Sequence, residues 1–214
     1  VKIVGSHAGI SVGPDGATHQ ALEDIAITRV LPNITVVVPA DAIETKKATL
    51  ALGEMKGPAY LRFARPESAV FTTDKSPFII GKAEILTIGE DVTIVGCGPL
   101  VYEALRAADL LWRKHKIKAE VINSHTIKPL DGRVISQSVR KTGAVVTVEE
   151  HQIAGGLGGV VSELLAKKYP APIEFIGMQN IFGESGPPTA LIEKYGMGVK
   201  DIIAAVKKVL KRKR

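Results

Sequence analysis

The sequence predicts an α/β protein built as two three-layer units, each with a mainly parallel sheet between helices. Three observations carry this. Short β-branched runs such as Ile34-Thr-Val-Val-Val38 alternate with stretches of helical period along the whole chain, the order that builds parallel sheets through strand–helix–strand crossovers. The 214 residues are 45% apolar and 23% charged, enough for a sizeable core at ordinary globular composition. Finally, a stretch from Pro66 to Pro77 with prolines, charges and no sustained period separates two alternating halves.

The elements follow in order. Residues 1–4 read as an apolar strand and residues 18–31 as a helix, with Leu22, Ile25, Ala26 and Val30 at helical spacing and Pro32 closing it. Residues 34–38 form an apolar strand. Asp41 is placed to cap a helix over 42–55, which Gly57-Pro58 breaks before a strand at 59–64. We expect residues 1–66 to form the first unit, 67–80 a linker and 81–214 the second unit. The second unit should hold strands at 83–87, 91–97, 118–123, 144–149 and 173–178. Its helices should cover 99–115, 131–142, 157–169, 188–195 and 199–210. Three parallel strands would leave helix faces and sheet edges of the first unit uncovered. That unit therefore reads as the end of a larger domain, and the chain as part of a longer protein or of a divided one.

Composition narrows the function classes. The formal charge of +6 is concentrated in the tail Lys207-Lys-Val-Leu-Lys-Arg-Lys-Arg214, which holds six basic residues and no acid. Basic residues at a helix C-terminus complement its dipole, and the tail lacks aromatics for base stacking, so no nucleic-acid partner is expected. The apolar runs fall far short of the ~18 residues of a membrane helix, so no membrane partner is expected either. The lone Cys97 cannot form an internal disulfide, which fits a cytoplasmic protein.

The richest segment chemically is Gly5-Ser-His-Ala-Gly-Ile-Ser-Val-Gly-Pro-Asp-Gly-Ala-Thr-His-Gln20, which packs His7, Asp15 and His19 into one glycine-rich strand-to-helix connection. Such loops carry function disproportionately often. Histidine donates, accepts or relays a proton near neutral pH, and aspartate holds a hydroxyl or orients a histidine. Other motifs read more plainly. Gly96-Cys-Gly98 lacks the third glycine of a dinucleotide fingerprint, Val101 standing in its place, and reads as a tight turn. Gly155-Gly-Leu-Gly-Gly159 opens a helix, where it serves either to bind an anion through free N–H groups or to let the helix pack closely. Glu149, Glu150 and His151 read as a subunit contact or a polar strand end, Cys97 as buried and inert, and His115 and His125 as structural.

The segment from His7 to Gln20, with Asp15-Gly-Ala-Thr-His19 at its core, resembles the pyrimidine-binding domain of transketolase, a thiamine-diphosphate enzyme. The resemblance continues through Leu31-Pro-Asn-Ile-Thr-Val-Val-Val-Pro-Ala-Asp41 and Tyr60-Leu-Arg-Phe-Ala-Arg65. Val148-Glu-Glu-His-Gln-Ile-Ala-Gly-Gly-Leu-Gly159 and Phe182-Gly-Glu-Ser-Gly186 resemble the family's C-terminal domain, so almost the whole chain is covered. The first unit would be an incomplete pyrimidine-binding domain. The resemblance implies transfer of a two-carbon ketol unit from a ketose phosphate to an aldose phosphate. It also implies that His19 lies beside the cofactor and relays protons as a catalytic, cofactor-binding residue. Asp15 would read a sugar hydroxyl, and His7 and Arg65 would hold the substrate phosphate.

Family members bind the cofactor's diphosphate through Mg²⁺ at a Gly-Asp-Gly motif that this sequence lacks, having Pro14-Asp-Gly16 and Leu130-Asp-Gly132 instead. We therefore expect the metal ligands, and the glutamate that activates the cofactor, to lie in an N-terminal part. Without that part the chain should be inactive, and a homodimer is implied. Another thiamine-diphosphate enzyme (a deoxyxylulose-phosphate synthase or a 2-oxoacid dehydrogenase β subunit) and a non-catalytic assembly domain are the competing readings.

Overall fold

A computed structural model describes residues 1–213; the last residue of the basic tail, Arg214, lies outside the described residues. The first half of the chain supplies β1 (Lys2–Gly5), α1 (Asp24–Arg29), β2 (Thr35–Val37), α2 (Ala42–Glu54) and β3 (Ala59–Arg62). The second supplies β4 (Glu84–Thr87), β5 (Val92–Gly96), α3 (Leu100–His115), β6 (Ala119–Asn123), β7 (Thr126–Lys128), α4 (Gly132–Thr142) and β8 (Val145–Gln152). It continues with α5 (Leu157–Lys168), β9 (Ile173–Met178), α6 (Pro188–Lys194) and α7 (Val199–Lys211).

Among the described residues the strands form two sheets, ordered β1-β3-β2-β7 and β4-β6-β5-β8-β9. β1 and β2 both run parallel to β3, which places the carboxyl ends of β1 and β3 side by side at Gly5 and Arg62. β5 and β6, in the second sheet, are buried along their whole length, as parallel strands covered on both faces must be. Among the described residues, only β7 on β2 and β4 on β6 pair antiparallel.

Helix boundaries follow local chemistry. Asp41 accepts the Glu44 N–H at 2.9 Å and caps α2, while Asp131 caps α4 through the Val134 N–H. α3 buries Leu100, Ala104, Ala107, Ala108 and Leu111, one apolar stripe of helical period, against the second sheet. α2 covers one face of the first sheet through Ala48 and Leu52 packed on Val37, Ala59 and Leu61. The opposite face, through Val36, Val38 and Tyr60, merges into one cluster with Ile25 of α1 and with Val95, Ile127, Ile135, Val139 and Leu157 of the second half. The two halves therefore share a core.

Three expectations change. The helix expected over 18–31 is only α1, because the main chain before it serves tertiary partners: Gln20 O accepts the Gly9 N–H, Ala21 O accepts from Arg62, and Leu22 O accepts the Gln152 N–H. The short strand β7 has no counterpart in the sequence reading. Its three residues precede Pro129, and its pairing partner lies far away in sequence. The strand expected to end at residue 149 runs on to Gln152, so Glu149, Glu150 and His151 lie within β8.

Residues 63–83 hold neither helix nor strand. Part of this stretch is strapped to α2: the Asp41 carboxylate accepts from the Phe71 and Thr72 N–H groups and the Thr72 hydroxyl, and Lys47 Nζ donates to Thr73 O and Ser76 O. In the basic tail, Lys208 and Arg212 pair with Glu174 of β9. No helix of the described residues is long and apolar enough to cross a membrane.

Candidate active site

Parallel sheets present their ligand sites beyond the carboxyl ends of the strands. In the first sheet that edge is formed by the connection after β1 and the residues after β3. The connection turns through a short 3-10 segment, Ile10–Asp15, and a tight turn in which the His19 N–H bonds Gly16 O. Two main-chain bonds draw its ends together: the Ala8 N–H donates to Phe63 O at 3.3 Å and the Gly9 N–H to Gln20 O at 2.6 Å. Ile10, Val12, Gln20 and Leu22 face the interior, while His7, Asp15 and His19 are exposed.

All four candidate residues lie on the connections at this edge, and two of them touch. Arg65 Nη1 donates to Asp15 Oδ1 at 2.6 Å, both side chains being partly exposed. One guanidinium nitrogen is engaged there and the other donors remain for an oxyanion. The imidazoles bond only neighbours: His7 Nδ1 lies 3.1 Å from Ser6 Oγ, and His19 Nδ1 lies 2.8 Å from Thr18 Oγ1, which leaves the His19 Nε2 for another partner. Neither joins the Asp15–Arg65 pair directly. The expected division of labour is therefore blurred, because Arg65, expected to hold the phosphate, is bound to Asp15, expected to read the hydroxyl.

Beneath this exposed edge lies a buried polar layer that sequence reasoning missed. Arg62, fully buried on β3, donates through Nε to Asp24 Oδ2 at 2.8 Å, and Tyr60 donates its hydroxyl to the same oxygen at 2.7 Å. Arg62 Nη2 donates to Glu150 O at 2.7 Å and to Ala21 O at 3.2 Å. The signal was available: an arginine in the buried parallel run Ala59-Tyr-Leu-Arg62 requires a paired partner.

All three residues of Glu149-Glu150-His151 are buried, which corrects the reading of them as a subunit contact or a polar strand end: Glu150 and His151 join the two halves of the chain, and Glu149 serves the second half alone. Glu150 Oε2 accepts the Ser11 N–H at 3.0 Å. His151 Nδ1 bonds Gln152 O at 2.6 Å and its Nε2 accepts the Ala26 N–H at 3.3 Å, the arrangement of a neutral imidazole. Burial accordingly holds its pKa below the ordinary 6.5. Glu149 accepts the Leu157 and Gly158 N–H groups at 2.7 and 2.8 Å. The glycine-rich turn therefore does collect an anion at a helix N-terminus, and that anion is the chain's own carboxylate. A Cβ on Gly156 would sit 2.1 Å from Glu149 Oε2, so the turn also needs its glycine for close approach. Burial raises the Glu149 carboxyl to about 7 against the two N–H groups that favour its ionised form.

The remaining candidates are structural. His125 is buried and stacked on Phe78 at 4.3 Å, with burial pushing its pKa down to about 4. Cys97 is buried and its thiol pushed well above its ordinary range by burial. His115 ends α3.

The donor set decides which of the groups implied by the resemblance fit here. Among the described residues, no three His, Cys, Asp or Glu side chains come together so as to hold a metal ion. The edge offers His19 as a hydrogen-bonding partner for a cofactor and Arg65 as an anion-binding donor. Among those residues it offers no Mg²⁺ site.

Comparison with known proteins agrees with the sequence resemblance. The family model for the transketolase pyrimidine-binding domain matches residues 1–69, and that for the transketolase C-terminal domain matches residues 81–202. A protein of Methanocaldococcus jannaschii described as a putative transketolase C-terminal section is 42% identical, over 99% of this chain and 67% of its own length. A 6-deoxy-6-sulfo-D-fructose transketolase subunit of Clostridium sp. (strain MSTE9) is 40% identical, over 100% of this chain and 66% of its own length. Human transketolase is 36% identical over 97% of this chain, which covers 33% of that protein. The chain thus spans about two thirds of the first two relatives and one third of the human enzyme. A split-gene transketolase, solved as an inactive β4 tetramer, superposes with a TM-score of 0.93 at 44% identity, over 100% of this chain and 68% of that one. Transketolase of Campylobacter jejuni shares the fold, with a TM-score of 0.77 at 22% identity. On these matches the chain belongs to the transketolase family and corresponds to its C-terminal part.

Proposed function

We propose that this chain is the substrate-handling half of a transketolase, transferring a two-carbon ketol unit from a ketose phosphate to an aldose phosphate together with an N-terminal part. The observation that supports this reading is the Arg65–Asp15 contact at an exposed sheet edge, where His7, Asp15 and His19 stand on the exposed side of a loop whose other side is buried. Thiamine diphosphate, when bound, supplies the electron sink that the side chains of this chain lack. The N-terminal part provides the Mg²⁺ ligands, since no metal-holding donor set occurs among the described residues.

Each residue has a role suited to its surroundings. Thr18 engages His19 Nδ1, so Nε2 bonds substrate hydroxyls and moves a proton to or from them. Arg65 holds the sugar phosphate with the guanidinium donors not committed to Asp15, and His7 adds a donor. Asp15 accepts from a sugar hydroxyl and keeps Arg65 aimed.

Exposed apolar surface supports assembly with further protein. Ile3 and Val4 of β1 are 52% and 55% exposed although they point to opposite faces, and among the described residues no strand pairs with the outer edge of β1. An N-terminal part completes this sheet edge, and a homodimer brings two such assemblies together. The split-gene neighbour solved as an inactive tetramer supports the expectation that the chain alone is silent.

The test is turnover of xylulose 5-phosphate with ribose 5-phosphate by the chain alone, the N-terminal part alone and the two together. Turnover should require both and collapse about 10²-fold or more in His19→Ala. Full activity of the chain alone, or activity indifferent to replacing His7, Asp15 and His19 together, would overturn the reading.

A further inference from the structure

We infer that the second unit holds residues 9–22 in their working shape, with Glu150, Gln20 and Gly183 acting as positioning residues. This rests on the transketolase reading for what the loop does, but not for how it is held. Two grips reach the loop from the second unit. From β8, Glu150 Oε2 takes the Ser11 N–H at 3.0 Å, and the Gln152 N–H donates to Leu22 O at 2.9 Å. The second grip, residues 183–186, lies between β9 and α6. Its Glu184 O accepts from Gln20 Nε2 at 2.9 Å, and its Gly186 N–H reaches Gly13 O at 3.4 Å.

Gly183 is what lets this segment press against the loop. A Cβ there would lie 1.9 Å from Gln20 Oε1 and 2.5 Å from Ile10 Cδ1, closer than real contacts allow. Gln20 is wholly buried, adjoins His19, and closes the base of the loop by accepting the Gly9 N–H at 2.6 Å. Any displacement of Gln20 is therefore passed directly to the exposed imidazole beside it. Misplacing a reacting group by about 1 Å costs up to ~10²-fold in rate. The chemistry sits on the outer side of the loop and the geometry is set from the inner side, by residues that touch no substrate.

The experiment uses the full chain for amide hydrogen exchange and the chain with its N-terminal part for kinetics. In Gly183→Ala and Glu150→Ala, the Gly9 and Ser11 amides should exchange about tenfold faster while β5 amides keep their rates, the mark of local loosening. In the assembled enzyme kcat should fall about tenfold or more with KM changed less than about threefold. Glu150→Gln, which keeps an oxygen for the Ser11 N–H, should restore both readouts to within about threefold. Exchange that quickens equally in β5, exchange that stays unchanged at Gly9 and Ser11, or a loosened loop with unaltered kcat would each overturn the inference. If the unaltered chain and its N-terminal part show no ketol transfer, the transketolase reading fails, and the exchange pattern alone decides whether the second unit holds the loop.

Discussion

Glu44 should make this protein lose stability as the pH rises from about 4.5 towards neutrality, the reverse of ordinary acid denaturation. The side chain is buried at the start of α2, where Oε2 accepts the Ala40 N–H at 2.6 Å and Oε1 accepts from Asn123 Nδ2 at 2.8 Å. Burial outweighs these bonds, the Asp41 and Glu84 carboxylates add repulsion, and the carboxyl rises from its ordinary 4.5 to about 7. Below pH 4.5 the folded and unfolded chains are both protonated at this group. Between there and about 7 only the folded chain keeps the proton, so stability falls with rising pH, by about 3 kcal/mol at ~1.4 kcal/mol per pH unit. Glu44→Gln removes the titration and fits the site. Its oxygen takes the Ala40 N–H, and its amide donates to Asn123 Oδ1, which has no partner among the described residues, once the Asn123 amide turns over. The assay is the urea midpoint of both proteins from about pH 4 to about pH 8. Glu84 and Glu149, also raised by burial, contribute to both curves, so the difference isolates Glu44. The Glu44→Gln variant should gain on the parent with rising pH and lead by roughly 1 M urea at about pH 8. A separation between the midpoints that stays constant across this range would refute the buried-carboxyl argument.

Other expectations are simpler. Asp41→Ala should cost about 3–4 kcal/mol, since it removes the cap of α2 and orphans the Phe71 and Thr72 donors; limited proteolysis should then cut within residues 66–77. Burial alone would raise the Asp41 carboxyl, but the hydrogen bonds outweigh it and hold it below its ordinary 3.8. Its stabilisation is thus complete above that value and lost on further acidification, which the same proteolysis read at falling pH would reveal. Cys97, buried with its thiol pushed up, should resist thiol reagents at about pH 8 until the chain is unfolded in denaturant; rapid labelling of the native protein would contradict its burial.

Much of the fold was legible because each signal was local. β2 declares itself through consecutive β-branched residues, α2 through Asp41 ahead of a helical pattern, and α3 through an apolar stripe that ends in basic residues. The misses are the places where distant partners decide. The main chain of residues 20–22 is claimed by Gly9, Arg62 and Gln152, so a good helical period yields only the short α1. β7 exists because β2 offers it an edge, which no three-residue window can reveal. The exposed site residues were visible as unusual chemistry in a glycine-rich loop. Their support was not, because Arg62, Asp24 and Glu150 come from three elements and find one another only after folding. The choice at residues 155–159 was decided by Glu149, several residues earlier on a neighbouring strand.

The antiparallel pairing of β7 with β2 also constrains how the chain reaches its native state. The paired residues are roughly ninety positions apart, a long-range contact of the kind that slows folding. During synthesis the first sheet cannot close until Lys128 has left the ribosome. Until then β2 carries an open apolar edge, inviting pairing with other nascent chains. A shortened version ending in the stretch after β3 would keep that edge permanently. Dividing this protein at its apparent connector should therefore yield an aggregating front piece rather than a free-standing domain.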